Sequence, residues 1–131
     1  MAIKNMSIST GATIAVTGGT AKAFVDTGVS VPGGVQVVVP ASNANVRESA
    51  TFRHRPAQLL PDGTYTRKKD TVTITVPMVL VGGKVVNNVI RIERDVHPEA
   101  SNAAATDLNK LGAQLLVDTD TDNFWLVGSL S

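Results

Sequence analysis

The 131 residues carry twelve Lys or Arg against eleven Asp or Glu, a formal net charge of +1, and 43% of them are apolar. That length holds one ordinary domain and excludes two independent ones, and the composition excludes a disordered or fibrous chain. Cysteine is absent, which removes disulfides, thiol catalysis and thiolate metal sites together.

Nineteen Val, six Ile and fourteen Thr, 39 residues in all, favour strands, because branching at Cβ stiffens χ1 and packs well on a pleated surface. With five aromatic residues, the core must be built from small and branched aliphatics. Residues 1–10 lack the apolar stretch of a secretion signal, and the longest apolar runs fall well short of a membrane span. The expectation is a soluble protein made and used in the cytoplasm, with no membrane partner. The charge is unevenly spread: residues 1–46 carry a net +1, residues 47–92 a net +5 and residues 93–131 a net −5. A basic middle of this kind suits a polyanionic partner.

In chain order, residues 1–30 read as a small β-hairpin region. Its short apolar stretches, at Met6 to Ile8 and Thr13 to Val16, are broken by Gly11 and by Gly18-Gly19, and a further strand is expected near Lys22 to Val25. Val31-Pro32-Gly33-Gly34 is a turn that launches a buried strand over 35–39, stopped by Pro40. Over 50–55 the chain alternates, Ala50, Phe52 and His54 against Thr51, Arg53 and Arg55. Leu60-Pro61-Asp62-Gly63-Thr64 is a turn between strands. A strand over 65–76 sets Val72, Ile74 and Val76 against Arg67, Lys69, Thr71, Thr73 and Thr75, with Pro77 closing it. A short strand over 78–81, a turn at Gly82-Gly83 and a long strand over 84–96 follow, the last with Ile90 and Ile92 opposite Val89, Arg91 and Glu93.

After Pro98 the period changes. Ser101 or Asn102 caps a helix whose Ala104, Leu108, Leu111 and Leu115 share one face, and Phe124 to Val127 forms a second short helix or a terminal strand. Strands followed by helices make an α+β fold. About fifteen helical residues cannot cover the apolar side of five or six strands, so a partner subunit is expected, with sheets joined edge to edge and helices crossing over.

Recognisable catalytic constellations are missing: His54 and His97 are 43 residues apart without a companion nucleophile, and no G-x-S-x-G, H-E-x-x-H or phosphate-loop pattern occurs. His54, in phase with Phe52, reads as a packed, hydrogen-bonded histidine. Asp118, Asp120 and Asp122 have the alternation of a calcium loop, but Asn123 and Ser129 stand where its glycine and bidentate glutamate belong. Helix capping by Asp122 or Asn123 explains them more simply. Neither enzyme activity, a cofactor nor a metal is expected. The feature that carries function is the pair of basic strands. If they pair through the Pro61-Asp62-Gly63 turn, Arg53, Arg55, Arg67, Lys69, Thr71 and Thr73 share an open face whose guanidinium, ammonium and hydroxyl groups suit phosphates and bases. A broad flat sheet suits an RNA hairpin better than a DNA groove.

Residues 68–79, Lys-Lys-Asp-Thr-Val-Thr-Ile-Thr-Val-Pro-Met-Val, resemble a strand of the coat proteins of single-stranded RNA bacteriophages, the leviviruses, in which basic residues lead into alternating Thr and Val and a Val-Pro. Val81-Gly82-Gly83, the strand that follows and the closing helix with Leu108, Leu111, Leu115 and Leu116 are similar too. The resemblance implies a single coat-protein domain over 1–131: an N-terminal hairpin (1–30), a five-stranded antiparallel sheet (31–97) and two C-terminal helices (98–131). It further implies an intertwined dimer with a ten-stranded sheet, and an icosahedral T=3 shell around single-stranded RNA in the virion, assembled in the bacterial cytoplasm. By strand phase, Thr51, Arg53 and Arg55, then Arg67, Lys69, Thr71 and Thr73, then Arg91 would lie on the RNA face, which in the family binds a stem-loop as translational repressor and packaging signal. Val79, Leu80, Val81, Gly82, Gly83, Lys84, Val85 and Val86 would form the loop between dimers, and a maturation protein would be a further partner. A dimeric RNA-binding regulator that forms no shell, and a phage tail or adhesion β-module, are the alternatives.

Overall fold

The computed structural model describes residues 3–8, 19–40 and 43–130. They fall into two compact units, Thr20–Glu99 and Met1–Gly19 with Ala100–Ser131.

The first unit is an antiparallel meander of β1 (Val25–Asp26), β2 (Gly34–Val38), β3 (Ser49–Arg55), β4 (Lys68–Val79) and β5 (Val85–Val96), hydrogen-bonded in that order. Five strands and two C-terminal helices give the expected α+β fold. The Val31–Gly34 turn forms as expected: Gly34 N donates to Val31 O at 3.0 Å, and Gly33 takes the positive φ of 68° that position i+2 of a type II turn requires. Gly34 is needed for a different reason. A Cβ there would stand 2.0 Å from the Phe52 carbonyl oxygen, so only glycine lets β2 close onto β3.

Both ends of β4 differ from expectation. The strand expected over 65–76 begins at Lys68, because Tyr65 bridges back to Leu59 around a tight turn in which Gly63 N donates to Leu60 O and Leu60 N to Thr64 O. At its other end Pro77 does not stop the strand: β4 continues to Val79, and 78–81 is no separate element. The ladder to β3 ends at Ser49 opposite Thr75, whereas the ladder to β5 runs on to Val79 opposite Val85. Beyond Thr75, β4 is paired along one side only, the setting in which a missing N–H is tolerated. The fifth strand is instead the two-residue β1.

The second unit contains α1 (Asn102–Val117), a single 3₁₀ turn (Thr119–Thr121) and α2 (Asp122–Val127). Ser101 caps α1 as expected, its Oγ accepting from Ala104 N at 3.1 Å. The aspartates after α1 work differently from expectation. Neither Asp122 nor Asn123 caps α2, whose N-cap is Thr121 without a side-chain hydrogen bond; Asp118 instead caps the 3₁₀ turn, accepting from Asp120 N, while Asp120 accepts from Ser7 N at 2.8 Å. Buried Thr121 donates to the Leu115 and Asp118 carbonyls, and the Trp125 indole N–H donates to Leu115 O at 2.9 Å. These bonds settle 124–127 as helix rather than strand. Gly128, at φ 71°, ends it, with Gly128 N donating to Phe124 O and Ser129 N to Asn123 O.

Of the expected N-terminal hairpin, Thr13 to Val16 lies outside the described residues. Met6 to Ile8 is irregular, after a 3₁₀ turn at Ile3–Asn5. Among the described residues no helix is long and apolar enough to cross a membrane.

Candidate nucleic-acid interface

Directly opposed residues of an antiparallel ladder project from the same face of the sheet, so the register sorts every strand residue. One row runs Gln36, Thr51, Thr73, Arg91; the next Gly34, Arg53, Thr71, Glu93; the next Arg55, Lys69, Asp95. The opposite face carries Val35 and Val37, Ala50 and Phe52, Val72, Ile74 and Val76, and Ile90 and Ile92. Seven of the eight residues assigned to RNA contact therefore share one face: Thr51, Arg53, Arg55, Lys69, Thr71, Thr73 and Arg91. Arg67 does not join them by register. It precedes the first rung of β4 and lies exposed in the connection from β3.

On this face Arg53, Arg55 and Arg91 are exposed, whereas Thr51, Lys69, Thr71 and Thr73 are half-buried. A half-buried threonine row flanked by guanidinium groups offers hydroxyl donors and acceptors at the surface and mobile cations around it. The face also holds two carboxylates that were not assigned to the site, Glu93 and Asp95. Glu93 Oε1 lies 2.7 Å and Asp95 Oδ1 4.0 Å from Lys69 Nζ. Glu93 could have been placed here from its phase with Arg91; its approach to Lys69 depends on the register, which the sequence does not print.

A second polar row lies at one end of the apolar face, where His54, Asp70 and Arg94 are opposed. Asp70 accepts from Arg94 Nη2 at 2.7 Å and stands 2.5 Å from His54 Nδ1. The Arg94 hydrogen bond first, and that of His54 second, hold the Asp70 carboxyl below its ordinary value of 3.8. His54 is thus hydrogen-bonded as expected, but it is exposed rather than packed, because its row is the polar end of the face.

The loop expected between dimers is the β4–β5 hairpin end. Val79 and Val85 close the ladder, Val86 pairs with Met78, and Leu80 to Lys84 make the turn. Leu80 N donates to Lys84 O at 2.8 Å and Gly83 N to Leu80 O at 3.0 Å, with Gly82 and Gly83 both at positive φ. Val81 is fully exposed at the tip.

No protein-family profile and no curated relative matches the sequence. The fold, however, superposes on a solved virus-like particle of bacteriophage GQ-907 with a TM-score of 0.89 and 38% identity, over 99% of this chain and 100% of that one. The chain belongs to the coat-protein family of the levi-like phages. The same coat fold recurs in the virus-like particle of Wenzhou levi-like virus 4, at TM-score 0.73 and 15% identity over 93% of this chain and 84% of that one. It recurs again in that of bacteriophage AVE019, at TM-score 0.66 and 14% identity over 97% and 98%. A coat protein of this family is a capsid-forming structural protein rather than an enzyme.

Proposed function

We propose that this coat protein dimerises through the β5 edge into a ten-stranded sheet, builds an icosahedral T=3 shell, and holds single-stranded RNA against the face bearing Arg53, Arg55 and Arg91. Residues 1–131 act as one coat-protein domain, and α1 of each subunit covers the apolar sheet face of its partner. The observation that carries this reading is the two-sided sheet: cations and hydroxyls on one face, aliphatic side chains on the other, with Phe52 48% and Ile92 44% exposed in the single chain. An apolar face left this open on one subunit calls for a second to cover it, and obligate interfaces of that kind typically bury roughly 2,000 Å² or more. At the other edge β1 is two residues long, whereas β5 offers twelve for pairing.

On the open face, Arg53, Arg55 and Arg91 neutralise phosphates while Thr51, Thr71 and Thr73 approach bases or sugar hydroxyls of a stem-loop, serving packaging and translational repression. Arg67 reaches phosphate from the rim. The 79–86 hairpin end meets neighbouring dimers, a maturation protein occupies one place in the virion shell, and assembly takes place in the bacterial cytoplasm.

Size-exclusion chromatography with absorbance at two wavelengths, followed by electron microscopy, tests this reading. Closed particles rich in nucleic acid are expected. Small, RNA-free dimers would overturn it, and RNA-bound dimers without shells would favour a regulator instead.

A further inference from the structure

On the RNA face just described, the cations are not equivalent. Arg53, Arg55 and Arg91 have no ion-pair partner among the described residues, whereas Lys69 lies against Glu93 at 2.7 Å and near Asp95 at 4.0 Å. Asp95 is the rung opposite Lys69, and Glu93 is the rung opposite its neighbour Thr71. These two strands are paired along their full length, so the ladder keeps the three residues adjacent on one face. A phosphate brought to the Lys69 ammonium therefore meets one positive and two negative charges within a few ångströms. Attraction to the lysine is offset by repulsion from carboxylates that the RNA does not displace, and a lysine already neutralised holds no phosphate counter-charge to exchange.

We propose that Glu93 and Asp95 silence Lys69 toward RNA, confining productive phosphate contact to Arg53, Arg55 and Arg91 and limiting sequence-independent binding by this face. The inference rests on the RNA-binding reading above and deepens it. It divides the basic face into an arginine part that holds RNA and a self-neutralised part, at the row of Lys69 and Asp95, that does not. Specificity gains when indiscriminate phosphate attraction is weakened while defined contacts are kept.

The test uses the full-length protein freed of nucleic acid and a labelled RNA hairpin of arbitrary sequence, with affinity measured by fluorescence anisotropy over a series of salt concentrations. Lys69→Gln alone, which bares the two carboxylates, is expected to leave the number of phosphate contacts read from the salt slope unchanged. The pair Glu93→Gln and Asp95→Asn, near-isosteric and surface-placed, is expected to tighten binding several-fold and to steepen the slope by about one phosphate contact. Adding Lys69→Gln to that pair should cancel both gains. The proposal is overturned if Lys69→Gln alone weakens binding and flattens the slope by about one contact. It is also overturned if the paired variant keeps its tighter binding without Lys69, since the carboxylates would then act by general repulsion. Arg53→Gln and Arg91→Gln separate the underlying reading: if neither weakens binding, the face is not the RNA surface and both readings fall together.

Discussion

Asp70 joins three strands in one row, accepting from Arg94 on β5 and standing against His54 on β3. Its carboxyl is held below 3.8, chiefly by the Arg94 hydrogen bond and next by His54. A group whose folded value is depressed contributes stability above its unfolded value and loses it as pH falls through the folded one. The stabilisation is therefore complete above about pH 5 and drains away on acidification below 3.8. Asp70→Asn should cost about 1 kcal/mol or less at neutral pH, the pair being partly solvated. It should also flatten the acid limb of the stability curve, as followed by chemical denaturation between pH 2 and 6; an unchanged acid limb would contradict the assignment. This row was not legible in the sequence, where the partners lie 16 and 24 residues from Asp70. Alternation tells which face a residue takes, but only the register says which residue it meets.

At the scale of elements, the β4–β5 hairpin shows what could be read and what could not. The alternation of Lys69, Thr71, Thr73 and Thr75 against Val72, Ile74 and Val76 placed β4 and its two faces correctly, because period two is a local property. Pro77 misled because proline is excluded only where a strand is paired on both sides, and the early end of β3 is a non-local fact. The start of β4 was missed for a similar reason: Tyr65 is used in the small hairpin with Leu59. Ser101 and the helix stripe beyond it were legible because capping is local, whereas α2 is fixed by Trp125 and Thr121 reaching back to α1. The hairpin tip carries its own prediction. Val81 is fully exposed and makes no use of its side chain within the chain, so Val81→Ser should shift folding stability by no more than about 0.5 kcal/mol. If the tip meets neighbouring dimers, the same change should alter the yield or size of particles seen by electron microscopy. Unchanged particles would remove the loop from the assembly contacts.

Over the whole molecule, the decisive quantity is how little apolar surface one copy buries. Ala50 at 6% and Val96 at 5% exposure are the buried apolar residues among those described, and α1 has none. Folding a chain of this length without a larger core leaves its conformational entropy uncompensated, so the proposed dimer would couple folding to association. The central claim is that β5, which ends the sheet in a single copy, is an interior strand in the assembled protein. Residues of an antiparallel edge strand alternate between N–H groups bonded to the neighbour and N–H groups facing outward. Residue-resolved amide hydrogen exchange along Val85–Val96 of the assembled protein tests this most directly. Slow exchange at successive residues through the centre of β5 is the expected result. Protection at every second residue, with fast exchange between, would show an open edge and contradict the ten-stranded sheet.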